Sequence, residues 1–321
     1  MELHTFYALI GFLLAAYSVI GNDSVQTLGT FIASNEKVFK WYWLWLAASL
    51  VLACTLIYSW SVNGGDISSG RLDKIPYTQV QWYHAAAPAV LVMLTRFGIP
   101  VSTTFLVLST FASTLVLEKM LVKSVIGYGL AAMIAYALWM VISRLINEKY
   151  DKVKKEHRVH WRVLQWLSTG FLWFSWLSHD MANIAVFLPR QLSPEMLAGV
   201  IALLTLWLGV IFYGHGGKIQ KIVLEKSGTR FMRSATIIDC VYALILIYFK
   251  EMNSIPMSTT WVFVGLLTGR ELAIATTYRE QYHLGYVFPL IGKDFVKMMV
   301  GLGLSVALAM GIHYGINPGG E

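Results

Sequence analysis

The chain has 321 residues, 56% of them hydrophobic and only 13% charged, with 12 tryptophans and a mean hydropathy of +0.59. Soluble domains carry about 25% charged residues, so this composition excludes a soluble enzyme or binding module and specifies an all-α integral membrane protein. The net charge of +7 does not mark a nucleic-acid binder, because the basic residues gather in short loops between apolar segments.

A helix needs about 20 mainly apolar residues to cross a bilayer. In chain order the first half offers crossings at 4–20, 41–62, 78–97, 100–118 and 121–146. The second half offers 161–178, 195–213, 231–250, 256–272 and 295–315. The first span is expected to be retained, since Glu2 is acidic and Gly21-Asn22-Asp23 follows in place of a small-residue cleavage site. Segments 22–35 and 180–189 are too short and too polar to cross alone. They are expected as re-entrant or broken helices facing protein or a wet cavity. Cys54 and Cys240 lie in apolar runs and are expected as unpaired, buried thiols. The run Trp41-Tyr42-Trp43-Leu44-Trp45 has the character of an interfacial aromatic belt.

The two halves therefore present about ten crossings plus two re-entrant or broken helices, in one repeated order. Five crossings per half is odd, so the second half enters the bilayer from the opposite side, an inverted-topology repeat. The expected division is a first repeat over 1–147, a basic cytoplasmic linker over 148–160 and a second, inverted repeat over 161–321. The distribution of charge agrees. All but six of the 25 Lys and Arg then fall on or near the cytoplasmic side, the exceptions being Arg71, Lys74, Lys119, Lys123, Arg190 and Lys250. Both termini are predicted outside a plasma or inner membrane. The basic loops add scope for weak contact with anionic lipid.

One polar pattern is laid down twice. Ser102-Thr103-Thr104 and Ser258-Thr259-Thr260 each follow a proline, Pro100 and Pro256, and each opens an apolar stretch. About 80 residues before each triplet stands an acidic residue in hydrophobic sequence, Asp23 and Asp180. As helix starts, the triplets would offer free backbone N–H groups, partial positive charge and six hydroxyls to an anion. That requires the triplets at membrane depth, which the short gaps before the prolines allow if the flanking helices form hairpins. Asp23 with Gln26 and Asp180 with Asn183 each place a carboxylate and an amide three residues apart on one helical face, a set suited to a small cation. A cation beside the anion would offset the charge moved. His179 is even between a structural and a functional role, His84 is expected to be structural, and Asp239 is expected to be structural or supporting.

The segments Gly21-Asn22-Asp23 through Gly29-Thr30, Asp180-Met181-Ala182-Asn183 and the two Pro-x-Ser-Thr-Thr copies resemble the inorganic phosphate transporter (PiT) family. That family's motif reads Gly-Ala-Asn-Asp-x-Ala-Asn followed by Gly-Thr or Gly-Pro, in both halves, with Pro-Val-Ser-Thr-Thr further on. This chain departs from it at Gln26, at His179 and at Val186-Phe187, and it lacks the Ala before Asn22. The resemblance implies a secondary active transporter, not an enzyme, that carries inorganic phosphate with Na+ or H+ as its coupling ion and no cofactor. By the same resemblance, Asp23, Gln26, Asp180 and Asn183 bind the cation, Na+ sitting on Asp23 and Asp180 if the coupling is to sodium. Ser102, Thr103, Thr104, Ser258, Thr259 and Thr260 hold the anion, with Asn22 and His179 at the junction. A sulfate permease of the same fold and an anion channel or sensor are the alternatives. No nucleic-acid partner is implied, and the oligomeric state, a homodimer included, is left open.

Overall fold

The computed structural model describes residues 2–96, 101–145, 155–216, 220, 232–252, 254–277 and 284–312, and the elements among them are all helical. Helix α1 spans Leu3–Asn35, α2 Trp41–Val62 and α3 Trp82–Arg96, followed by a π-helical turn at Thr104–Leu108 and α4 over Thr114–Leu145. Then come α5 (Lys155–Asp180), the single turn α6 (Ala182–Ala185) and α7 (Pro194–Tyr213). Helices α8 (Met232–Met252), α9 (Thr259–Thr277) and α10 (Leu284–Met310) complete the chain. Four stretches, Leu3–Asn35, Trp41–Val62, Thr114–Ile142 and Pro194–Tyr213, are long and apolar enough to cross a membrane by themselves.

The first acidic segment is not a separate re-entrant piece. Residues 3–35 form one helix of 33 residues, and Asp23 lies within it. No proline interrupts it, and several of its hydroxyls bond back to their own helix. Ser18 donates to Leu14 O at 2.7 Å, Ser24 to Ile20 O, and Thr27 to Asp23 O at 3.1 Å. Hydroxyls bonded back one turn do not compete with the helical ladder, so a polar stretch continues as helix. Every residue from Ser18 to Ala33 is buried, which makes α1 the central post of the molecule.

The second acidic segment does break. Helix α5 ends at Asp180, Met181 forms the joint, and α6 carries Asn183. The crossing expected at 78–97 is a helix over Trp82–Arg96, 15 described residues and about 22 Å long. The one expected at 100–118 is a π-helical turn flanked by extended and turn residues. Helix α3 and this turn pack together, which fits the hairpin alternative. Pro100 lies outside the described residues; Pro256 sits in the extended segment before α9. The remaining crossings match helices with shifted ends: the one expected at 121–146 starts at Thr114, and the one expected at 295–315 starts at Leu284.

Helix α1 packs on α3, α5 and α7, while α5 packs on α8 and α2 on α7. Trp45 Nε1 donates to Thr205 O at 2.9 Å, and Trp41 meets Tyr213 edge-on at 5.5 Å between centroids. Part of the expected aromatic belt therefore cements α2 to α7, while Trp43 stays 56% exposed. Helices α4 and α9 touch backbone to backbone. A Cβ on Gly265 would stand 2.3 Å from Tyr128 O, and one on Gly269 2.0 Å from Ala132 O. Small residues four apart permit this approach between membrane helices. The register, 128 to 132 against 265 to 269, makes the two helices parallel. Cys54 and Cys240 are unpaired as expected, but they are exposed on the helix surface rather than buried.

Candidate ion and anion site

Four segments converge on one buried cluster. Helix α1 brings Asn22, Asp23 and Gln26, and the stretch after α3 brings Val101, Thr103 and Thr104. The α5–α6 joint brings Asp180 and Asn183, and the start of α9 brings Thr259. Each of these residues is at most 6% exposed.

Thr103 donates its hydroxyl to Asp23 Oδ2 and accepts from Asn183 Nδ2 at 2.9 Å. Its neighbour Thr104 donates to Asp180 Oδ1 at 3.3 Å. Two consecutive threonines from one triplet thus bridge the carboxylates of both halves, which are close enough to act on each other electrostatically. Thr259 of the other triplet lies against Asp180. On the first carboxylate, Asn22 Nδ2 donates to Asp23 Oδ1 at 2.6 Å and to Val101 O at 2.9 Å. Gln26 Nε2 reaches the same Oδ1 at 3.3 Å. On the second, Asn183 Nδ2 donates to Asp180 Oδ1 at 2.9 Å.

In both halves the amide nitrogen turns to the carboxylate and leaves the amide oxygen free. Asn22 Oδ1, Asn183 Oδ1 and Asp180 Oδ2 are buried and accept no hydrogen bond. Buried acceptors are nearly always paired, and an unpaired one costs about 1–3 kcal/mol. Three such oxygens in one cluster that already holds two carboxylates form a donor set for a hard cation. Carboxylate and amide oxygens suit an alkali or alkaline-earth ion.

The serines of the triplets are set apart from the threonines. Ser102 Oγ accepts from Phe105 N at 3.2 Å and Ser258 Oγ from Trp261 N at 3.3 Å, the same capping bond in both copies. Ser258 N itself donates to Ser124 Oγ on α4 at 2.8 Å. Thr260 is buried.

His179 points away from the cluster. Its Nε2 donates to Leu246 O on α8 at 2.6 Å, and Arg71 Nη2 stands 3.4 Å from the same nitrogen. His84 accepts from Gln81 N at 2.9 Å and stacks on Phe111 at 4.2 Å, a structural placement. Asp239 lies outside the cluster, its carboxylate taking hydroxyls from Thr30 and Thr169.

Three contributors escape a reading of the sequence. Tyr242 donates to Thr259 O at 2.8 Å and fixes the start of α9. Arg71, 1% exposed, reaches in from the loop after α2 and acts electrostatically on Asp180. Lys123 holds Ile255 O at 2.9 Å, just ahead of the second triplet. A tyrosine in an apolar helix, or a basic residue in a loop, carries no signal of such partners, which lie 17 to more than 100 residues away along the chain.

These elements define an all-α architecture in which four helices are long and apolar enough to cross a membrane. A solved structure described as the sodium-dependent phosphate transporter matches over 98% of this chain and 100% of that one, with a TM-score of 0.65 and 17% sequence identity. At that identity the likeness establishes the fold, and the fold expected from the family resemblance is borne out. No protein-family model and no curated protein matches the sequence.

Proposed function

We propose that the protein is a secondary active transporter that moves inorganic phosphate together with a cation by alternating access. One observation carries this reading. Thr103, Thr104 and Asn183 tie Asp23 to Asp180, and three buried oxygens, one of Asp180 and the amide oxygens of Asn22 and Asn183, have no donor. Two carboxylates buried side by side in a membrane are costly unless a cation joins them. The cation is assigned to Asp23, Asp180, Gln26 and Asn183, with Asn22 Oδ1 also in reach. Sodium is the preferred ion, in keeping with the solved structure of the same fold, and a proton is the alternative.

The anion is assigned to the threonines of both triplets and to the helix starts capped by Ser102 and Ser258. The hydroxyls of Thr103 and Thr104 now donate to the carboxylates. A cation that takes over those oxygens releases the hydroxyls for an oxyanion. Cation binding therefore precedes and enables anion binding, which is a route to coupling. His179 is withdrawn from the anion site and given a positioning role between α5 and α8. Phosphate is favoured over sulfate because it keeps a proton at neutral pH and can donate to a carboxylate.

The two-repeat organisation belongs to the same proposal. Helices α5 and α6 correspond to α1, α7 to α2, α8 to α3, the α9 segment to the π-helical turn, and α10 to α4. Exchanging partners in this way converts the α1–α3 contact into α5–α8 and the α4–α9 contact into that of α10 with the turn, and both occur. The repeats are placed at 1–147 and 161–321 around the linker 148–160, with both termini outside a plasma or inner membrane.

The test is uptake of labelled phosphate into proteoliposomes under an imposed Na+ or proton gradient, with unlabelled sulfate as competitor. Saturable uptake driven by one gradient supports the reading. Uptake indifferent to both overturns the coupling, and stronger competition by sulfate than by phosphate overturns the substrate.

A further inference from the structure

Asp239 is a carboxylic acid fully buried among three helices. It sits seven residues into α8 and is 0% exposed. Thr30 on α1 donates to its Oδ1 at 2.8 Å, and Thr169 on α5 donates to its Oδ2. Thr30 lies seven residues beyond Asp23 on α1, about 10 Å along the helix, so this is a place apart from the paired carboxylates.

Charged and histidine side chains on the elements packed against α8 are His4 and Asp23 on α1, with Glu36 at its C-cap, and His160, Arg162, His179 and Asp180 on α5. Those on α4 are Glu118, Lys119 and Lys123; those on α9 are Arg270 and Glu271; and α8 itself carries Arg233, Lys250 and Glu251. None of them is a partner of Asp239, which among the described residues is met by the two threonine hydroxyls. An isolated buried carboxylate in a membrane span is expensive and is neutralised by taking up a charge. Two hydroxyls and one carboxyl offer few ligands for a metal ion. They suit a proton well, because a neutral carboxyl donates one hydrogen bond and accepts another, and a hydroxyl can serve either end.

We infer that Asp239 with Thr30 and Thr169 is a proton-binding site that latches α1, α5 and α8 together below the paired carboxylates. While the latch is closed, the proton stays on the carboxyl. When these helices part, water reaches Asp239, the O–H bond breaks, the proton passes to water and the carboxylate is left solvated. One proton is thus exchanged per opening at this end. The part played in transport rests on the proposed function; the protonation does not.

The protein in nanodiscs is compared by infrared spectroscopy with Asp239→Asn and Thr169→Val, over a pH series. The carbonyl stretch of a neutral buried carboxyl is expected in the wild type, absent in Asp239→Asn and shifted in frequency in Thr169→Val. No band lost in Asp239→Asn overturns the site, and an unshifted band in Thr169→Val overturns the latch. In proteoliposomes, initial phosphate uptake should change by up to about tenfold per pH unit where one proton limits the cycle. That dependence should flatten in Asp239→Asn, and an unchanged pH profile overturns the exchange. A band that behaves as expected in a protein showing no phosphate uptake would sink the proposed function and leave the proton site standing.

Discussion

Asp180→Asn is the sharpest perturbation of the cluster, because it moves two quantities in opposite directions. With both carboxyls ionised and no cation bound, the pair holds two like charges. Like charges close enough to act on each other repel by a few kcal/mol at an effective dielectric of about 20. The amide removes that repulsion, can keep an oxygen toward Thr104 and the Asn183 amide, and fits the same space. The cation-free variant should therefore be more stable than the wild type, against the usual direction for a buried substitution. The cation, however, loses a charged ligand, at a cost of about 3 kcal/mol or roughly a hundredfold in affinity. At a sodium concentration of about a hundred times the dissociation constant, the wild type gains about 2.7 kcal/mol from binding, and the variant at the same concentration gains only about 0.4 kcal/mol. Thermal unfolding in detergent, with and without sodium and with choline as the control, reads both effects. A cation-free variant less stable than the wild type, together with an undiminished sodium shift, would refute the paired-carboxylate reasoning.

Further outcomes follow from the same contacts. Thr103→Val removes the donor to Asp23 and the acceptor for Asn183, so uptake should fall with a raised KM for phosphate, and the site should lose about 1–3 kcal/mol. Ser258→Ala deletes the cap on Trp261 N and should lower stability by about 1 kcal/mol, with Ser258→Gly milder; matched unfolding curves check both. Gly269→Ala forces a methyl group into Ala132 O at 2.0 Å and should destabilise strongly or prevent folding, whereas Gly303→Ala, with nothing within 4 Å, should be tolerated. Fluorescence-detected size exclusion after a heat step separates that pair.

The candidate site was legible where the chain repeats itself. Asp23 and Asp180 stand 157 residues apart and Ser102 and Ser258 stand 156 apart, and such matched offsets in apolar sequence have few explanations other than a duplicated site. The helix ends were less legible, for a local reason. Gly21-Asn22-Asp23-Ser24 has the composition of a turn, yet Ser24 and Thr27 bond back to their own helix and let it run on to Asn35. Sequence alone does not say which way such a hydroxyl turns. Nor did it separate the roles within each triplet. Serine and threonine are equivalent as caps, and only the fold shows Ser102 and Ser258 spent on backbone N–H groups while Thr103 and Thr104 face carboxylates. The two roles open to His179 could not be separated from sequence, because its neighbour Asp180 lies in the cluster while adjacent helical residues point about 100° apart.

The hydroxyls of Thr103 and Thr104 also bear on why cation and anion should travel together. A hydroxyl has one proton and cannot donate to a carboxylate and to an oxyanion at once. With the carboxylates bare, both protons are committed to them, and an approaching anion meets two negative charges with no free donor from these residues. With a sodium ion seated on Asp23 and Asp180, the same hydroxyls turn outward and the local charge falls from two negative to one. Binding of either ion alone is thus penalised relative to binding of both. By linkage, phosphate must then raise cation affinity by the same factor as the cation raises phosphate affinity. Calorimetric titration of phosphate at several sodium concentrations, and of sodium at several phosphate concentrations, should return one coupling factor. If phosphate affinity stayed constant while sodium spanned its own binding range, the threonine bridge would have no part in coupling.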